Sequence, residues 1–289
     1  MTKYISALLL VLSLSLCAQT NTDVFLFNIE SEYGGLTLFN IQNISANNGY
    51  DSQPSFMDNN QILFAGNNKG QTDIALYSIS KKTKTWFNQP SMGGEYSPIS
   101  IPKSSTKVAA VRLDPDGLQR LYSYDREVKT STELIKDLQV AYYTFHDDKT
   151  IVASVLSGDK LDLVISNLQT KKTDTILLNS GRSIQNIPDS NSISYTAVNE
   201  EKNQDIYMLQ MSDYESFFVC QLPVGVQDYT WLNDSQILIG SGNKLYVYDT
   251  FLNSEWKQVA DLSEYNIKDI TRLAVSPDGK KLALVAESL

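Results

Sequence analysis

Few residues in this 289-residue chain are equipped for chemistry. His146 is the only histidine, so a Ser-His-Asp relay would have to use it as the base. It stands in Phe145-His-Asp-Asp148, a turn between two apolar runs, where a solvated residue is expected. Cys220 ends the apolar run Phe217-Phe-Val-Cys220 and reads as a small buried hydrophobe rather than a nucleophile. No Gly-x-Ser-x-Gly elbow occurs. Two sets of side chains remain. Asp51, Glu95 and Asp228 would hold a hard cation if the fold brought them together. Tyr50, Tyr96, Tyr142 and Tyr229 join an apolar ring to a polar tip, which suits peptide or glycan contact, and Arg182 and Arg272 would add a carboxylate-binding charge.

What these residues do depends on the elements that carry them, and those elements repeat. Arg272-Leu-Ala-Val-Ser-Pro-Asp-Gly-Lys-Lys-Leu-Ala-Leu-Val-Ala286 predicts a β-hairpin, with Pro277 setting one turn dihedral and Gly279 accepting positive φ. Weaker copies recur upstream. Taking the second strand of each hairpin as marker gives Ile62, Val108, Ile151, Ile193, Ile237 and Leu282, separated by 46, 43, 42, 44 and 45 residues. The first five are followed by a polar or Gly-bearing turn, a short strand such as Asp73-Ile-Ala-Leu-Tyr77 or Lys244-Leu-Tyr-Val-Tyr248, and a weaker last strand. Four strands in about 44 residues, with no 3.6-residue period between them, predict an all-β propeller with four-stranded antiparallel blades. The sixth unit stops two strands short, whereas Val24-Phe-Leu-Phe-Asn28 and Gly34 to Asn40 have no partner. Pairing them with the last hairpin makes six blades, the final one closed by both chain ends.

Composition sets the compartment. Lys3, the 12-residue apolar run Ile5 to Leu16 and Cys17-Ala-Gln19 form a secretory signal peptide over residues 1–19, leaving 20–289 as the propeller domain. Leu14-Ser-Leu-Cys17 also resembles a bacterial lipoprotein box, which makes a lipid anchor at Cys17 the second reading. No other apolar run approaches a membrane span, so no transmembrane segment is expected. Removing Lys3 from the 24 basic residues leaves 23 against 33 acidic ones, a net charge of −10. That balance disfavours nucleic acid as a partner. With Cys17 removed Cys220 stands alone, so packing must hold the core without an intramolecular disulfide.

Ala274-Val-Ser-Pro-Asp-Gly-Lys-Lys-Leu-Ala-Leu284 closely resembles the repeat of TolB-like six-bladed propellers. Pro54 to Phe64 with Asp73-Ile-Ala-Leu-Tyr77 is a second match, and Asn203-Gln-Asp-Ile-Tyr207 a partial third. The resemblance implies a secreted or periplasmic domain that presents its channel mouth to a protein or peptide of the cell envelope. TolB's N-terminal α/β domain is not expected here, nor the translocation role attached to it. Lyases sharing the repeat use a His-rich metal cluster, which one histidine cannot supply. Lactonases with six blades use axial Glu, Asn and Asp, so Asp51, Glu95 and Asp228 keep a metal-dependent hydrolase as an alternative, alongside a glycan-binding propeller. The acidic turns Asp114-Pro-Asp-Gly117 and Ser276-Pro-Asp-Gly279 lack the alternating acids of a calcium loop and need only turn chemistry. The expectation is a binding module with no cofactor and no metal. Its channel mouth is formed by Tyr50, Asp51, Glu95, Tyr96, Tyr142, Arg182, Asp228, Tyr229 and Arg272.

Overall fold

The computed structural model describes residues 21–32, 35–89, 92–252 and 255–287. The signal segment 1–19 and Cys17 lie outside the described residues. The chain opens with β1 (Thr22–Glu32) and β2 (Gly35–Asn43). Five units of four strands follow. The first is β3 (Ser52–Phe56), β4 (Gln61–Asn68), β5 (Gln71–Ser78) and β6 (Thr83–Trp86). The second is β7 (Gly94–Ser100), β8 (Lys107–Leu113), β9 (Gln119–Asp125) and β10 (Thr130–Glu133). The third is β11 (Val140–Phe145), β12 (Thr150–Ser157), β13 (Lys160–Asn167) and β14 (Lys172–Leu177). The fourth is β15 (Ser180–Asn186), β16 (Ser192–Val198), β17 (Gln204–Gln210) and β18 (Ser216–Gln221). The fifth is β19 (Thr230–Trp231), β20 (Gln236–Ser241), β21 (Lys244–Asp249) and β22 (Lys257–Asp261), and the chain ends with β23 (Lys268–Val275) and β24 (Lys281–Glu287).

Among the described residues these strands form six four-stranded sheets, five of them continuous and one ordered β2-β1-β24-β23. This is the six-bladed propeller that the spacing predicts, its last blade shared by the two chain ends. The junction is a full antiparallel ladder, from Thr22 opposite Glu287 to Asn28 opposite Lys281. Thr22 also fastens this blade to the next, donating its N–H to the carbonyl of Gly49 and accepting from the N–H of Asp51.

Every marker residue sits on the second strand of its blade and is fully buried: Ile62, Val108, Ile151, Ile193, Ile237 and Leu282. Alternation along those strands explains why the ring needs all six blades. On β4, Ile62 and Phe64 pack toward the composite blade, whereas Leu63 packs toward β8. On β8, Val108 and Ala110 return that contact, while Ala109 and Val111 face the third blade. On β20, Ile237 and Ile239 face the fourth blade and Leu238 faces the composite one. Each sheet is thus apolar on both faces, and successive side chains serve opposite neighbours. Buried apolar area, at about 25 cal/mol per Å², holds the ring together, and among the described residues Cys220 is a free, buried thiol.

The hairpin that revealed the repeat has the predicted turn. Gly279 has φ 68°, its N–H donates to the carbonyl of Ser276, and the Ser276 hydroxyl donates to Asp278 at 2.6 Å. Asn59 of the neighbouring β3–β4 turn accepts the Asp278 N–H at 3.0 Å, tying two blades at one rim. The other acidic turn is neutralised by arginine. Asp114 accepts from Arg112 at 2.5 Å and Arg120 at 2.6 Å, and Asp116 accepts from Arg120 at 2.8 Å.

Candidate functional site

The first strand of each blade lies against the axis. Between them is a cavity of about 280 Å³ lined by all six, from Gln53 to Phe56 on β3 round to Arg272 through Val275 on β23. Among the described residues, the charged ones in its wall are Arg182, Asp228 and Arg272. They come from three consecutive blades: Arg182 from β15, Asp228 from the segment entering β19, and Arg272 from β23. Arg182 Nη2 donates to Asp228 Oδ2 and Arg272 Nη1 to Oδ1, so one carboxylate bridges two guanidiniums. The Asp228 side chain is 7% exposed, against 29% for Arg182 and 18% for Arg272. Charge-assisted bonds in such a site are among the strong ones, and removing one partner leaves a buried charge exposed to its full desolvation cost.

The triad has aromatic neighbours. Tyr142 on β11 lines the cavity and lies with its ring 5.8 Å from the Arg272 guanidinium carbon. Tyr50 and Tyr96, just before β3 and within β7, face one another with ring centroids 6.2 Å apart. Burial raises the Tyr50 hydroxyl pKa, which the nearby charge of Arg272 partly offsets. Arg182 and Asp228 also line a second depression, shared with Val224, Gly225 and Asp269, so this ion pair separates the axial cavity from the face where the inner strands begin.

Two residues expected at the mouth point into their blades, and a third borders the cavity while committing its polar tip to the seam. Asp51 is fully buried, its Oδ1 accepting from the Asn67 backbone N–H at 2.9 Å and its Oδ2 from Asn47 at 2.8 Å. Burial pushes its pKa up to about 7 despite those hydrogen bonds. Glu95 is likewise fully buried and accepts from the Tyr124 hydroxyl at 3.1 Å. Tyr229 borders the cavity but is 1% exposed and gives its hydroxyl to Ser194 at 2.7 Å, within the seam between the fourth and fifth blades. For Asp51 and Glu95 the physical reason is alternation: Tyr50-Asp51 and Glu95-Tyr96 are adjacent pairs on extended chain, and neighbours on a strand point to opposite sides.

The convergence of Asp51, Glu95 and Asp228 that a metal-dependent hydrolase would need therefore does not occur. Among the described residues no three metal-ligating side chains converge, and Asp228 already faces two cations of its own.

The polar belt that braces the cavity is not foreseen from the sequence. Gln53 accepts the Ser97 N–H at 2.8 Å, Ser55 donates to the Pro98 carbonyl at 2.5 Å, and Tyr143 donates to the Ser97 carbonyl at 3.0 Å. Asn186 donates to the Phe145 carbonyl at 2.8 Å. Gln53 and Ser97 both take positive φ, 56° and 50°, where β3 and β7 shift register against their neighbours. Gln53-Pro54 and Ser97-Pro98 occupy corresponding places in successive blades, but a following proline favours extended backbone and does not announce a positive φ.

No family model and no curated protein matches the sequence. Solved structures match its shape. The putative TolB from Agrobacterium tumefaciens superposes with a TM-score of 0.69 at 12% identity, covering 94% of this chain and 100% of the other. TolB from Acinetobacter baumannii gives 0.62 at 10% identity over 92% of this chain, which spans 64% of that TolB's length. An oligogalacturonate lyase solved with manganese gives 0.59 at 13% identity, covering 88% of this chain and 83% of the lyase. At these identities the likeness establishes the fold alone.

Proposed function

We propose that this chain, a six-bladed propeller of the TolB-like fold, is a non-catalytic binding module that takes a protein or peptide at the axial mouth. The observation that carries the reading is the gathering of Arg182, Arg272 and Tyr142 at the axis, with Tyr50 and Tyr96 beside them. Guanidinium forks and half-buried tyrosines are the side chains that supply binding energy at protein interfaces. The side chains that a hydrolase would use are committed to structure: Asp51 and Glu95 are buried acceptors, and Asp228 is bridged by arginines. The apolar segment at residues 5–16 supports export to the cell envelope, and among the described residues no helix is long and apolar enough to cross a membrane.

Recovery from an envelope extract of the native source tests both parts. The wild-type chain is expected in the envelope fraction with residues 1–19 removed, bound to a partner that Tyr50→Ala and Tyr96→Ala together release. Unchanged partner recovery would overturn the axial site, and an intact leader in the cytosol would overturn the location.

A further inference from the structure

The charge balance of the axial cavity points to one kind of ligand group. The protein carries a net charge of −9, yet the cavity wall holds two guanidiniums and one carboxylate, a local balance of +1. A guanidinium offers five N–H donors. Asp228 takes one from Arg182 and one from Arg272. Arg182 Nε is buried and has no hydrogen-bond partner. A buried donor without a partner is destabilising because its lost hydration is not replaced, and an incoming acceptor would relieve that cost. Tyr142 against Arg272 supplies an apolar wall beside the charge.

We infer that the axial cavity recognises a single carboxylate of a bound peptide, either its C-terminal carboxylate or an acidic side chain, held by Arg182 and Arg272 with Asp228 as the resident carboxylate it joins or displaces. This rests on the peptide-binding reading above and specifies the chemistry of that site. One carboxylate brings the site to neutrality, whereas a phosphate dianion would leave a buried excess of negative charge. About 280 Å³ admits a terminal residue or one acidic side chain rather than a folded element. Asp228 keeps the guanidiniums apart and oriented while the site is empty.

A random heptapeptide library displayed with free C-termini, selected on the purified chain, tests this. Selected peptides are synthesised as the free acid, as the C-terminal amide, and with internal Glu and Asp changed to Gln and Asn. One of the two neutralised forms is expected to lose about 10- to 100-fold in affinity, the equivalent of one or two charge-assisted hydrogen bonds. Which form loses it distinguishes terminus from side chain. Arg182→Gln with Arg272→Gln should erase the difference between charged and neutral peptides. Asp228→Asn, which keeps the shape and releases both guanidiniums, should tighten the charged peptide about tenfold; near-UV circular dichroism of each variant verifies the fold. Peptides that bind equally well with every carboxylate neutralised would overturn the inference and leave peptide binding in place, as would a charged peptide weakened by Asp228→Asn. If no peptide is selected, both readings fail together.

Discussion

Asp51 and Asp228 show how two carboxylates in equivalent stretches of chain acquire opposite roles. Asp228 reaches the axis and meets two arginines, while Asp51 points into its blade and meets neutral donors, with Lys84 nearby. The consequence for Asp51 is a pH dependence with a definite sign. Its pKa rises from 3.8 to about 7 on folding, so the folded state holds the proton more tightly than the unfolded chain does. Its contribution to stability is complete below about pH 4 and is lost as pH rises through about 7. Urea unfolding at about pH 5 and about pH 8 is expected to show a lower midpoint at the higher pH, and Asp51→Asn to reduce that difference. A variant with the same pH slope as the wild type would show that Asp51 keeps its ordinary pKa. The sequence marked the right neighbourhoods but not which member of each pair faces the axis. Tyr50, Tyr96, Tyr142, Arg182, Asp228 and Arg272 gather there and Tyr229 borders the cavity with its hydroxyl turned into the blade seam, whereas Asp51 and Glu95 point into their blades, because a strand's phase depends on where its bulge falls. A bulge is a backbone event that residue types announce only weakly.

Strand packing decides how closely blades approach. Gly240 on β20 shows this most sharply, since a Cβ built there would lie 2.3 Å from Ile270 Cγ2 of the composite blade. Gly240→Ala is expected to destabilise the protein by roughly 1–3 kcal/mol through overpacking, measured by equilibrium denaturation. Gly240→Ala combined with Ile270→Ala, which removes the clashing Cγ2, should cost less than the sum of the two single changes, and equal stability of the Gly240→Ala variant and the wild type would show that the seam is looser than described. The second strand of each blade was legible throughout, because its apolar residues are buried on both faces and form an unbroken run. The outermost strands carried the weakest signal, as in the four-residue β10 (Thr130–Glu133). These strands are half exposed and carry polar residues, so periodicity gives them little definition.

For the whole ring, the near-constant interval between markers was sufficient to predict six blades and the shared last one. Closure follows from the same interval, since a hairpin left without outer strands and two opening strands without a hairpin complete one sheet. Function was less legible, because the repeat encodes blade packing and is indifferent to what the axis holds. The arginine pair joins residues 182 and 272 through Asp228, a contact spanning three blades that no local pattern in the chain records. The decisive measurement places a photo-crosslinking amino acid at Tyr50, Tyr96 or Tyr142, and in control proteins at exposed Leu178, just after β14, or Phe218 on β18. The account predicts that a bound peptide or partner is captured from the three axial positions and not from the two outer ones. Capture from Leu178 or Phe218, with none at the axis, would contradict it.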